Sequence, residues 1–302
     1  MSRTWAEFRA SEAASLDRTV GPRLTIDELV ESISEVSTLP HIAMKVMNVA
    51  NDRRTGAAEL RAIVEADPTL SSRVFKCVNS AQYGLGQTVT DLQRAIVLLG
   101  FNQVRNLAVT ASEADVFRSN EAIGPYRRGM LWRHLVATAI CARMIAVRRQ
   151  MEQFEEVFLA GLLHDFGVIL EDQYCHQHFA VMLHALKPDD RLIAREQEYL
   201  GFDHTVLGYR IGKRWQFPDG VLRAIRYHHA AEECGGDHAP VVACVALANF
   251  ICTMSGRSSV GLGLLDVPHA AVAALSMKRD DVTVIAEDLE EELDRNRPLF
   301  SL

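Results

Sequence analysis

Apolar residues recur three or four positions apart along most of the 302-residue chain. This spacing is typical of amphipathic helices, because it places the apolar side chains on one face. No stretch shows the alternation of apolar and polar residues that a half-buried strand needs. The chain is therefore predicted to be all-α. In its first part the expected helices lie approximately at residues 25–35, 41–51, 57–65, 68–78, 91–99 and 102–117.

Several helix boundaries carry their own sequence signals. Thr25-Ile-Asp-Glu28 and Thr90-Asp-Leu-Gln93 have the form of a capping box, in which two side chains satisfy free backbone amides at the helix start. Pro68 fits the first turn of a helix, and Gly100 is expected to end one. These signals indicate short helices joined by short loops.

A polar break at residues 119–124 is predicted to divide the chain, and Pro125 is expected in the first turn of a long helix that follows. The helices of the second part are expected near residues 125–148, 155–170, 173–186, 190–200, 204–215, 219–229, 239–255, 268–276 and 281–294. The predicted organisation is an N-terminal arm (1–23), an N-terminal helical subdomain (24–124), a second helical subdomain (125–256) and a C-terminal helical tail (257–302).

Composition and charge indicate an ordinary soluble globular protein, with 48% hydrophobic and 24% charged residues. No apolar run reaches the roughly 20 residues that span a bilayer, and the N-terminus lacks the apolar region of a secretory signal. A cytoplasmic protein without a membrane partner is therefore expected. The six cysteines form no C-x-x-C pair, which favours reduced thiols over a cysteine zinc site. The net charge of −7 disfavours a nucleic-acid surface.

Residues 158–170 are apolar apart from one imidazole and one carboxylate, those of His164 and Asp165, and belong to a single core helix expected over about 155–170. Buried His and Asp side chains are costly unless they find partners or bind a metal. Other single polar residues lie on predicted core helices in the same way: His134, His204, His228, His229 and Asn249. Any one of them alone is more often a hydrogen-bonded core residue than a ligand. Together, their N and O donors would suit Fe, Mn, Zn, Co or Ni rather than Ca or Mg.

The spacing of these residues resembles the HD-domain superfamily of helical metal-dependent phosphohydrolases. Motifs in the first part resemble the HDOD family: Asp67-Pro-Thr-Leu70, Arg73 to Gly84, Leu92 to Gly100 and Arg105-Asn-Leu107. The resemblance extends over about residues 28–255. It implies an all-α fold in which an N-terminal helical subdomain packs on an HD-type helical bundle, as in bacterial signalling proteins.

The resemblance also implies a set of metal ligands for one or two divalent ions, unless the metal is absent. His164 and Asp165 match the HD pair, whose Asp can bridge two metals, and His134 is similar to the first histidine of the pattern. The added histidines of the related cyclic-di-nucleotide phosphodiesterases, and their closing Asp, are matched by His204, His228, His229 and Asn249.

Two residues depart from the pattern of the enzymes. A Lys usually follows the pair in His-Asp-x-Gly-Lys, but here the residue is Val168, four positions after His164 and so on the same face of a continuous helix. A Lys could neutralise a substrate phosphate, whereas Val cannot. Asn249 replaces an anionic ligand by a neutral one, so two divalent ions would be poorly compensated. The glycine-tyrosine-proline signature of the phosphodiesterases is also absent after His204.

These departures favour a regulatory HDOD module that binds a protein partner or a small ligand, such as a nucleotide or cyclic dinucleotide, without hydrolysing it. The alternative is an active phosphohydrolase of nucleotide or cyclic dinucleotide phosphates, in which Asp165 and His204 would serve catalysis with a metal-bound water. A third class, a nucleic-acid-binding regulator, rests only on small arginine clusters such as Arg148-Arg149. The helices after residue 239 could pack internally or form a homodimer surface.

Overall fold

A computed structural model describes residues 25–35, 57–79, 87–113, 117, 122–263 and 265–300. The helices before the main division are α1 (Ile26–Glu35), α2 (Ala57–Glu65), α3 (Pro68–Val78), α4 (Leu92–Leu99) and α5 (Phe101–Glu113). They are followed by α6 (Arg128–Arg148), α7 (Phe154–Leu163), α8 (Phe166–Tyr174), α9 (His176–Ala185), α10 (Leu192–Leu200), α11 (His204–Arg214), α12 (Asp219–Tyr227), α13 (Ala239–Met254), α14 (His269–Ala274) and α15 (Arg279–Phe300). A short 3₁₀ helix covers Ala231–Glu233. The all-α prediction is confirmed, since the described residues form only one small sheet, of β1 (Ala122–Ile123) and β2 (Tyr126–Arg127).

Helices α2 to α5 enclose a small apolar core of their own. Its fully buried members include Leu60, Val64, Leu70, Val74 and Val104. Helix α1 belongs instead to the larger core of the second part: Leu29 and Ile33 are fully buried there, and the helix packs against α11. The predicted subdomain boundaries stay a prediction. The helix expected at 41–51 lies outside the described residues.

The two predicted capping boxes have different outcomes. At Thr25 the prediction is confirmed: its backbone N–H donates to Glu28 Oε2 at 2.8 Å, and the Glu28 N–H donates to Thr25 Oγ1 at 3.3 Å. At the second position the prediction is wrong. Asp91, not Thr90, caps α4, and its side chain accepts from the Arg94 N–H at 2.7 Å. An Asp that directly precedes the first helical residue is at least as good a cap as a Thr.

Helix α6 is the central helix of the second part and packs against α7, α13 and α15. By length and composition it could cross a membrane, but 72% of its most apolar stretch is buried inside the protein. Its predicted start at Pro125 is wrong. Pro125 lies in the turn between β1 and β2, and the helix begins three residues later at Arg128. The fixed φ of Pro suits such a turn as well as a first helical turn.

The prediction of a single helix over 155–170 is wrong, and the difference affects the candidate site. Helix α7 ends at Leu163, and α8 begins at Phe166, so the His164-Asp165 pair forms the junction between them. The Asp165 backbone, with φ −98° and ψ 19°, departs from helical values and interrupts the helix. Beside the junction, a Cβ on Gly167 would lie 1.9 Å from the backbone oxygen of His204, so α8 approaches the start of α11 at backbone contact.

Smaller differences concern the following segments. The helix expected over 173–186 begins at His176, because α8 continues to Tyr174 and Cys175 separates the two. The tail helices are confirmed, and α15 is anchored on the larger core by the fully buried Ile285 and Leu289. The six cysteines are free thiols, as predicted.

Candidate metal centre

Four buried histidines are fixed in the same way, each through its Nδ1 atom. The Nδ1 atoms of His134, His164 and His228 lie 2.6 Å from the Arg257 carbonyl oxygen, 2.8 Å from that of Gly161 and 3.0 Å from that of Ala224, respectively. The Nδ1 atom of His204 lies 2.7 Å from the carboxylate of Glu196. An acceptor at Nδ1 places the proton of a neutral ring on that nitrogen and leaves a lone pair on Nε2.

The Nε2 atoms of these histidines converge on the carboxylate of Asp165. Its Oδ2 atom lies 3.4 Å from His134 Nε2 and 3.3 Å from His164 Nε2. Its Oδ1 atom lies 3.3 Å from His204 Nε2 and 3.1 Å from His228 Nε2. The junction between α7 and α8 thus presents one carboxylate between two pairs of imidazoles. Each pair faces one carboxylate oxygen.

The donor atoms also lie close to one another. His134 Nε2 and His164 Nε2 are 3.2 Å apart, and His204 Nε2 lies 3.4 Å from His228 Nε2 and 3.2 Å from His229 Nε2. Two lone pairs at such distances repel unless a proton or a cation lies between them. Asp165 Oδ1 is buried and has no hydrogen bond of good geometry. Both observations fit a cation held among these side chains.

The cluster divides into two groups of donors that share Asp165. One group is His134, His164 and Asp165, and the other is Asp165, His204, His228 and His229, and within each group the donor atoms lie within 4.8 Å of one another. The structure therefore brings together six of the seven predicted ligands. Asn249, the seventh, is buried on α13, where its Oδ1 accepts from Thr253 Oγ1 at 3.3 Å.

Burial and the neighbouring charges set the protonation of the cluster. Burial lowers the pKa of His164 to about 4, and burial with the nearby His228 and His204 holds the pKa of His229 well below its usual range. Burial would raise the pKa of Asp165, but the surrounding histidines outweigh it and hold that pKa well below its usual range.

Carboxylates outweigh burial at two other rings: Glu196 and Asp165 raise the pKa of His204 well above its usual range, and Asp165 raises that of His134. Because metal ions bind neutral imidazoles and ionised carboxylates, a metal ion must displace the proton from such a ring.

Two glutamates beside the cluster were not among the predicted site residues. Glu196 on α10 accepts from Nδ1 and from the backbone N–H of His204. Glu171 on α8 is fully buried; burial and the neighbouring Glu196 raise its pKa well above the usual range. Glu171 directly follows the apolar run that predicted a core helix, and this position could have indicated that its side chain is buried. Glu196 lies in the polar stretch Arg195-Glu-Gln-Glu198, which gave none.

A cavity of about 630 Å³ opens beside the second group of donors. His228, His229 and Asn249 line it on the side of the cluster, and Arg191 and Asp266 pair at 2.9 Å on the exposed side. The cavity is large enough for a drug-sized molecule. Asn249 is therefore placed to contact a molecule in this cavity.

Comparison with known families agrees with this geometry. Residues 36–231 match the family model of the HDOD domain. The chain belongs to the HDOD family. All the predicted ligands except Asn249 lie within the matched residues, and the predicted family is thereby confirmed.

Relatives and solved structures show how far the HDOD likeness extends. A protein of Treponema pallidum (strain Nichols) described only as uncharacterized is 21% identical over 225 residues, which are 74% of this chain and 43% of that protein. The uncharacterized protein YuxH of Bacillus subtilis (strain 168) is 26% identical over 88 residues, which are 29% of this chain and 22% of YuxH. The chain thus spans less than half the length of these relatives.

Three solved structures share the fold over nearly the whole of this chain. An HDOD domain protein of unknown function from Geobacter sulfurreducens has a TM-score of 0.64 at 23% identity, covering 95% of this chain and 98% of that one. A proposed signal transduction protein from Marinobacter aquaeolei VT8 has a TM-score of 0.72 at 24% identity, and the likeness covers 98% of this chain and 66% of that one. A proposed metal-dependent phosphohydrolase from Shewanella amazonensis SB2B has a TM-score of 0.60 at 16% identity, covering 98% of both. These identities show the fold alone.

Val168, which the sequence places four positions after His164 on one continuous helix, lies on α8, beyond the junction at His164-Asp165. Its side chain is fully buried in the larger apolar core. The residue therefore offers no charge to a molecule in the cavity.

Proposed function

We propose that this HDOD chain is a regulatory, signal-transduction module that holds a divalent transition metal ion on the His/Asp cluster and binds a small ligand in the adjoining cavity without hydrolysing it. The observation that carries the proposal is the convergence of five imidazole nitrogens on the one carboxylate of Asp165. Because N and O donors of this kind suit Fe, Mn, Co, Ni or Zn, we expect one of these metals.

The charges around the cluster support binding over hydrolysis. Asp165 is the one carboxylate among the six converging side chains, so two divalent ions would keep most of their positive charge, and the second ion should be held weakly. Among the described residues that line the cavity, Arg191 is the one Arg or Lys, and it pairs with Asp266. The side chains that line the cavity would therefore give the transition state of a phosphoryl group little cationic stabilisation.

Element analysis of the purified protein and of the Asp165→Asn variant tests the proposal. We expect about one equivalent of a transition metal in the wild type and much less in the variant. The loaded wild type is then incubated with nucleotides and cyclic dinucleotides, and both thermal stabilisation and product formation are measured. Stabilisation without turnover supports the proposal. Metal-dependent turnover, or a wild type that takes up no metal, overturns it.

A metal-dependent phosphohydrolase is the second candidate, and the two donor groups that share Asp165 beside a cavity favour it. A metal ion there would supply an activated water. Asp165 would hold the ion, and the Nε2 atom of His204, if left free, could accept a proton. Two bound equivalents together with turnover that is lost in His204→Ala would support this candidate over the first.

The partners of the module are part of the proposal. We expect a protein partner in a signalling pathway, with a nucleotide or cyclic dinucleotide as the class of small ligand and self-association as an alternative. Size-exclusion chromatography with light scattering, with and without ligand, checks whether a homodimer forms.

A further inference from the structure

The Glu196 side chain makes three contacts with one residue of the cluster. Its carboxylate oxygens lie 2.9 and 2.7 Å from His204 Nδ1, and Oε2 also accepts from the His204 backbone N–H at 3.1 Å. Both side chains are fully buried. The chain reverses at Gly201, whose φ of 87° lies in the left-handed region, and this turn brings the start of α11 back beside α10.

This arrangement distinguishes His204 from three other histidines of the cluster. Backbone carbonyl oxygens hold Nδ1 of His134, His164 and His228, whereas a carboxylate holds Nδ1 of His204. A carboxylate fixes the ring with its proton on Nδ1 more strongly than a carbonyl does. It also makes the opposite nitrogen, Nε2, a more basic ligand.

Glu171 is a second carboxyl group beside Glu196. It is fully buried, and its neighbour there is the Glu196 carboxylate.

We propose that Glu196 is a positioning residue that holds His204 as the Nδ1–H tautomer, with Nε2 directed at the metal position beside Asp165. The inference deepens the proposed function and rests on it for the metal. The tautomer of His204 can be tested without metal, so the two can fail separately.

The test compares Glu196→Gln and Glu196→Ala with the wild type. Asp172→Asn is the matched control, because Asp172 is equally buried on α8 but contacts Tyr126, Arg128 and His176, which lies outside the cluster.

The first readout is ¹⁵N NMR of histidine-labelled, metal-free protein. The nearby Glu196 and Asp165 outweigh burial and raise the pKa of His204 well above its usual range, so the spectra are recorded at alkaline pH, where the ring is neutral and its two tautomers can be distinguished. We expect Glu196→Ala to convert one ring from the Nδ1–H form to a mixture, and the control to leave the rings of the cluster unchanged.

The second readout is the affinity for Mn²⁺ alone, measured by titration on variants whose cooperative melting shows that they are folded. We expect Glu196→Gln to weaken Mn²⁺ binding by about 10–100-fold, and Asp172→Asn to leave it within about twofold. Unchanged rings in Glu196→Ala overturn the inference, and so does an unchanged Mn²⁺ affinity in Glu196→Gln. Wild type that binds no Mn²⁺, Zn²⁺ or Fe²⁺ overturns the proposed function, and the ring pattern then decides on the positioning role alone.

Discussion

At the scale of single residues, the centre is defined by lone pairs that face each other across short distances. The Nε2 atoms of His134 and His164 are 3.2 Å apart while their Nδ1 atoms are both committed to carbonyl oxygens. Without a metal, protons must separate such atoms. Accordingly, Asp165 outweighs the effect of burial and raises the pKa of His134, while burial lowers that of His164. Metal binding and proton release should therefore be linked.

Glu171 gives a pH prediction at this scale. Because burial raises its pKa well above 4.5, the folded chain keeps a proton on Glu171 that the unfolded chain has lost. The free energy of unfolding then falls as pH rises from about 4.5 towards the folded pKa. Glu171→Gln cannot lose a proton and escapes this fall. We expect its free energy of unfolding, measured in urea, to rise relative to that of the wild type by about 1 kcal/mol per pH unit over that window. A difference that stays constant between pH 5 and 8 would show that Glu171 ionises normally.

At the scale of secondary structure, the approach of α8 to α11 shapes the site. Gly167→Ala would place a Cβ 1.9 Å from the His204 backbone oxygen, and backbone cannot move aside as a side chain can. We expect a loss of at least about 2–3 kcal/mol in the free energy of unfolding and weaker metal binding. Gly129→Ala on α6 is the control, because no atom lies within 4 Å of its added Cβ. That variant should be neutral or slightly more stable, and equal effects of both changes would refute the packing argument.

Helix α1 gives a second prediction at this scale. Its Leu29 is fully buried against the larger core, and α1 packs on α11, which begins with His204. We expect Leu29→Ala to lower the free energy of unfolding by about 2–5 kcal/mol. The exposed Asp27, which pairs with Arg210 on α11, makes the comparison: Asp27→Ala should leave the melting temperature nearly unchanged. Similar losses in both variants would mean that the ion pair, not the apolar face, holds α1.

Local sequence signals account for the helices that were predicted well and for the points that were missed. Periodicity and caps act within a few residues, and they predicted α1 to α4 and α10 to α13 closely. Gly167, just after the break at His164-Asp165, meets the backbone of His204, 37 positions away, and no local pattern contains that contact. The histidines could be chosen because each is a polar residue in an apolar segment. Glu196 could not, since its role exists only once α10 turns back onto α11.

At the scale of the whole molecule, the described residues form two apolar cores, and the predicted ligands belong to one of them. The smaller core is built by α2 to α5, and the larger by α1, Val109 of α5 and the helices from α6 onward. Asn106 on α5 connects the two, since its side-chain N–H donates to the backbone oxygen of Glu155 at 3.0 Å and to its carboxylate at 2.7 Å. Metal binding could therefore stabilise the larger core without adding a contact in the smaller core.

Hydrogen exchange can show whether the two cores respond together. A ligand that binds only the folded form stabilises by about 2.7 kcal/mol at a hundred times its Kd, and that gain protects the unit that unfolds with the site. We therefore expect Mn²⁺ to slow amide exchange in α6, α7, α11 and α13, and to leave α2 to α4 unchanged, as measured by mass spectrometry against a chelator-treated sample. Asp165→Asn is the control, since it should show no protection by Mn²⁺. Equal protection of α2 to α4 would show that the two cores unfold as one unit.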